Sequence, residues 1–145
     1  MLMSSVENLE GGVMGCPAEV FVGDNLVFSI TCHDADTGVL TDADAAPAYR
    51  VYEDETATAI LTGTMAVLDT ANTTGFYTEL VACTVANGFE VDKTYTIYIE
   101  ATVDGDTGGI CYAFKAKDPL AEVNVKEVND VALTGNGGAT PWGPV

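Results

Sequence analysis

The residues of this 145-residue chain best equipped for chemistry lie between positions 33 and 44. Its single histidine, His33, is followed by Asp34, and a His-Asp pair is two members of a nucleophilic triad. No third member presents itself: the Ser and Thr residues sit in ordinary strand and loop contexts, and none occupies a G-x-S-x-G turn. Zinc needs three or four clustered His or Cys ligands, which one histidine and four dispersed cysteines do not supply. The 22 carboxylates form many incidental pairs, none set apart as the acid and base of glycoside hydrolysis. The expectation is a protein that is not an enzyme. Asp34, Asp36, Asp42 and Asp44 raise a separate question, since they put four carboxylates around one short loop. Calcium takes six to eight oxygens, and Asp at alternate turn positions is one way to deliver them. The Glu that closes an EF-hand loop is absent, however, and Asp also suits turns through hydrogen bonds to its own backbone. A solvated acidic turn is the plainer expectation and a calcium ion on these four residues the alternative; no metal and no cofactor is assigned.

Cys16, Cys32, Cys83 and Cys111 contain no C-x-x-C pair. Cys32, Cys83 and Cys111 lie inside apolar strand patterns, so buried free thiols are expected, with one inter-strand disulfide as the alternative. Charge is the outlier of the composition. Five bases stand against 22 acids, for a formal net charge of -17. Affinity for phosphates comes from clustered Lys and Arg, so neither a nucleic-acid partner nor an anionic membrane surface is expected. Met1-Leu2-Met3-Ser4-Ser5 has neither a basic leader nor a long apolar run, and Glu7 and Glu10 would interrupt one; synthesis in the cytoplasm without secretion is expected.

The elements that must carry these groups are strands. Residues 94–103 alternate, with Tyr95, Ile97, Ile99, Ala101 and Val103 on one face, and a second run follows with Ile110, Tyr112 and Phe114. Asp104-Gly105 supplies the positive-φ residues of a tight hairpin, and Gly108-Gly109 permits a bulge just beyond it. Turn clusters delimit strands at 18–22, 25–33, 48–53, 57–61, 64–69, 75–84, 94–103 and 109–117. In the second, Leu26, Phe28, Ile30 and Cys32 share a face. Short strands at this spacing, with no sustained helical period, predict an all-β antiparallel sandwich over residues 18–117. Residues 1–17 and 118–145 are read as extended N- and C-terminal arms. They carry apolar groups without a core of their own, so Met3, Met14, Leu133, Pro141 and Trp142 are the candidate partner-binding residues. Trp142 is the only tryptophan, set in a Gly/Pro-rich end, and Trp is the type most enriched at binding hot spots.

Several segments taken in order resemble the immunoglobulin-like domains of virion proteins in tailed bacteriophages. They are Val20-Phe-Val-Gly-Asp-Asn-Leu-Val-Phe-Ser-Ile, Pro47-Ala-Tyr-Arg-Val-Tyr-Glu-Asp, Leu61-Thr-Gly-Thr-Met, Thr74-Gly-Phe-Tyr-Thr and Gly88-Phe-Glu-Val-Asp-Lys-Thr-Tyr-Thr-Ile. The ending from Val128 through Pro141-Trp-Gly-Pro is similar to segments that follow such domains. The resemblance implies an immunoglobulin-like sandwich and a non-enzymatic role as a capsid decoration, cement or head-fibre protein. It implies virion localisation, capsid or other virion proteins as partners, and homo-oligomer formation. The other reading is an adhesion or carbohydrate-binding module that meets a host surface glycan, for which Tyr49, Tyr52, Phe76 and Tyr77 are the aromatic candidates.

Overall fold

The computed structural model describes residues 2–4, 15–120, 127–128, 131–134 and 143–144, with side-chain placement from 15 to 120. Two sheets form the body. The smaller joins β1 (Leu2–Ser4), β3 (Asn25–His33) and β6 (Phe76–Ala82) in the order β1-β3-β6. The larger runs β2-β8-β7-β4-β5, from β2 (Glu19–Phe21), β8 (Asp106–Lys117), β7 (Thr94–Val103), β4 (Ala48–Glu53) and β5 (Ala59–Thr64). Three short strands, β9 (Glu127–Val128), β10 (Val131–Thr134) and β11 (Gly143–Pro144), pair among themselves. Among the described residues the one helical turn is a 3-10 turn at Val85–Asn87, capped by the Thr84 hydroxyl and ended by Gly88 at φ 92°. The described residues are therefore all-β, with two sheets facing each other across one core.

Period-two alternation fills that core. β3 buries Leu26, Phe28, Ile30 and Cys32, and β7 buries Tyr95, Ile97, Ile99, Ala101 and Val103, as the sequence pattern predicts. Opposite faces of the same strands hold Asn25, Thr94 and Glu100 in solvent. Phe89, Tyr95 and Phe114 form an aromatic cluster with centroids 4.8 to 6.1 Å apart. Offset and tilted rings at such spacing add attraction beyond the burial of their area.

Four sequence-based expectations need correction. The sandwich is not antiparallel throughout: β2 runs parallel to β8, Glu19 opposite Lys115 and Phe21 opposite Lys117. Flanking bonds from Lys115 N to the Ala18 carbonyl (2.9 Å) and from Val22 N to the Lys117 carbonyl (3.0 Å) fix this register. In place of two strands at 57–61 and 64–69 there is one, β5, which spans only Ala59–Thr64. At Met65 the chain leaves the large sheet, Met65 N donating to the Pro47 carbonyl, and Ala66 then exchanges two bonds with Thr78 of β6. No bulge occurs at Gly108-Gly109, where the β7–β8 register is unbroken from Thr94↔Lys115 to Val103↔Asp106. Gly109 instead clears space for a ring, since a Cβ there would lie 3.1 Å from Tyr98 Cε2. The ladder is irregular between Val51 and Tyr52, on β4 against β5. Finally, Cys111 is exposed, because it falls on the outer face between the inward Tyr112 and its neighbour Ile110.

Candidate functional site

Asp34, Asp36, Asp42 and Asp44 lie at one end of the sandwich, where the 34–44 loop meets the start of β6 and the β7–β8 turn. Asp34 Oδ1 accepts from the backbone N–H of Asp36 (2.8 Å) and of Thr37 (2.9 Å), capping its own turn. Asp42 Oδ1 accepts from Gly75 N at 2.6 Å, thirty-three residues away. Asp44 receives Asp104 N on one oxygen and Gly105 N on the other, both at 3.0 Å. Those two residues have φ 49° and 84°, the positive-φ pair that a tight hairpin requires. Three of the four carboxylates are thus directed to backbone donors in three different segments. Among the described residues no three His, Cys, Asp or Glu side chains group as metal ligands. Backbone donors hold the Asp34 carboxyl below its usual range, while a hydrogen bond with Asp34 lifts that of Asp104. His33 stands apart from this network, its Nδ1 buried without a hydrogen-bond partner among the described residues.

All four cysteines are free thiols, which removes the disulfide alternative. Burial pushes Cys16 up to about 12, and Cys32 and Cys83 up to about 11, so these three are neutral packing groups.

The aromatic candidates for glycan binding do not form a platform. Tyr49 and Tyr77 are core residues, 8% and 5% exposed. Tyr49 packs edge-on against Phe28, with ring centroids 5.3 Å apart. The Tyr77 hydroxyl accepts from Ala43 N at 2.9 Å. Tyr52 and Phe76, both half-buried, belong to different sheets.

Among the partner-binding candidates, Met14, Pro141 and Trp142 lie outside the described residues. Met3 lies in β1, in register with Cys32, and Leu133 lies in β10 opposite Pro144. The strand β1 is an edge of the small sheet. It covers the outer part of the β3 edge away from β6, pairing Leu2, Met3 and Ser4 with His33, Cys32 and Thr31. Farther along that edge Ser29 N donates to the Gly15 carbonyl (2.8 Å), and the Tyr112 hydroxyl donates to the Ser29 carbonyl (2.9 Å). Gly15 is needed there, because a Cβ would stand 2.8 Å from the Tyr112 oxygen. Two separate pieces of the N-terminal segment therefore close one edge of the small sheet.

A further site escaped the sequence reading. On the outer face of the large sheet, register places Thr62, Arg50 and Tyr98 in one row and Thr64, Ala48 and Glu100 in the next. Small Ala48 leaves a depression among them, and the groove of about 300 Å³ is lined by Tyr49 and Gly63 as well. The Tyr98 hydroxyl donates to Glu100 Oε2 at 2.6 Å. Arg50, the chain's only arginine, makes no ion pair with any described residue. Strand alternation could have put these side chains on an outer face, but only the sheet order makes them neighbours.

Compared with known proteins, the chain matches no family model, no curated protein and no solved structure.

Proposed function

We propose that this chain is a non-enzymatic virion structural protein. In this reading an immunoglobulin-like domain is fixed to a capsid or other virion protein through its terminal segments, as part of a homo-oligomeric array. The observation that carries the reading is the closure of the β3 edge by Leu2–Ser4. An open sheet edge is a template for an added strand, and a terminal segment that can supply such a strand to its own domain has the chemistry to supply one to a neighbour. The immunoglobulin-like assignment draws support from the strand order and from the corner before β7. There the Tyr95 hydroxyl, at the start of that strand, accepts from Glu90 N five residues upstream at 2.7 Å. A tyrosine bonded back to the preceding backbone in this way is a feature of immunoglobulin-type sandwiches.

The test is co-expression with the cognate particle and electron microscopy of what assembles. Deleting residues 1–14 and, separately, replacing Trp142 by Ala should each leave a folded domain and reduce its occupancy on particles. For Trp142→Ala the expected loss of attachment is about 2 kcal/mol or more, the hot-spot scale. Full occupancy for both variants, or no particle association by the intact chain, would sink the proposal.

A further inference from the structure

We propose that the groove on the outer face of the five-stranded sheet is a binding site for a neutral saccharide, a property that the attachment reading does not require. Arg50 is the unusual residue of the groove. In a chain with 22 acids, its one guanidinium stands exposed without a carboxylate partner among the described residues. Glu100 lines the same groove, yet it is engaged by the Tyr98 hydroxyl instead. A donor fork and a carboxylate held in one depression without neutralising each other suit a ligand that both accepts and donates hydrogen bonds. Sugar hydroxyls do both: a vicinal pair can accept from Arg50 while donating to Glu100. Thr62 and Thr64 add two exposed hydroxyls along the β5 side. Tyr98 adds a ring whose position over β8 depends on the missing side chain of Gly109.

Charge and location narrow the class. A small anion would satisfy Arg50 but would meet Glu100 at close range, inside the field of a chain whose net charge is -17. An extended peptide binding by strand addition would pair with the backbone at the edge of β5, whereas this groove is lined by side chains on the face over β5, β4 and β7. The depression holds about 300 Å³, at the lower end of small-molecule sites, which suits one or two sugar rings.

The experiment is a ¹⁵N-resolved NMR titration of the full chain with maltotriose, cellotriose, chitotriose and lactose at millimolar concentration, with glucuronate, acetate and trialanine in parallel. At least one neutral sugar should shift the amides of Arg50, Thr62, Thr64 and Tyr98 in a saturable way. Arg50→Ala and Glu100→Ala should each weaken that binding by about tenfold or more, the scale of a lost charged hydrogen bond. Both positions are exposed, and an unchanged spectrum elsewhere will show that the fold is intact. The proposal is overturned if none of the neutral sugars shifts these amides. It is equally overturned if the anions or trialanine alone do so, or if both variants bind the sugar as well as the parent chain.

Discussion

A Cβ on Gly75 would stand 2.6 Å from the Cys32 carbonyl oxygen and 2.8 Å from that of Thr41, at a backbone φ of +66°. Both obstacles are main chain, so neither can swing aside. Gly75 N is also the donor to Asp42, and its carbonyl accepts from Cys32 N at 2.7 Å. Gly75→Ala should therefore cost about 2 to 4 kcal/mol, read from urea unfolding, through steric strain combined with an unfavourable φ. Gly105→Ala, where φ is +84° but nothing lies within 4 Å, should cost only about 1 kcal/mol. The buried thiols carry a second expectation at this scale. Their folded-state values, about 12 for Cys16 and about 11 for Cys32 and Cys83, lie above the ordinary thiol value of 9.0. A raised value means that the unfolded chain releases these protons first. The stability they contribute is whole below pH 9 and is lost as pH rises through the folded-state values. Urea midpoints should hold from pH 7 to 8.5 and then fall, by about 1 kcal/mol per thiol at pH 10.

At the scale of the element, Tyr95 ties the corner before β7 into the sheet, accepting from Glu90 N and donating to Glu53 Oε2 at 3.3 Å. Tyr95→Phe keeps the buried ring and removes both bonds, so stability should fall by about 1 to 2 kcal/mol with the fold retained. An unchanged unfolding midpoint would mean that water replaces the hydroxyl without loss. Long strands such as β3 and β7 were legible residue by residue, because burial on one face enforces a two-residue period along their whole length. The β5 region was not legible. Leu61 and Met65 read as parts of two strands, but between them the chain changes sheets, which is a tertiary event. The parallel placement of β2 was hidden for a related reason: three residues hold too little pattern to specify which edge they join. The 34–44 carboxylates were found by composition, yet their use as clamps on Gly75 and on the Asp104-Gly105 turn depends on loops that meet only after folding. Arg50, Tyr98 and Glu100 could each be assigned to an outer face by counting, while their common groove required knowing that β4 lies between β5 and β7.

For the whole molecule, the net charge of -17 outweighs the attractive pairs. Among the described residues the ion pairs are Lys93 with half-buried Glu53 and with Asp54, at 3.8 and 3.4 Å, and Lys117 with Glu19 at 3.7 Å, each with its lysine at the surface. Surface pairs of this kind contribute little, so salt has more repulsion than attraction to screen. Raising NaCl from 20 to 500 mM should lift the Tm by several degrees, measured by differential scanning calorimetry, and a fall would show that attractive contacts dominate instead. The parallel β2–β8 pair gives this same body a mechanical character. The N-terminal segment enters that ladder at its Glu19 end, and the C-terminal segment leaves it at its Lys117 end. Tension applied through the two segments pulls the strands lengthwise past each other. The bonds joining Lys115 to Ala18 and Val22 to Lys117 then resist together rather than opening one after another. A domain strung between two anchors in this geometry yields abruptly, as a shear joint does, and holds its length until that point.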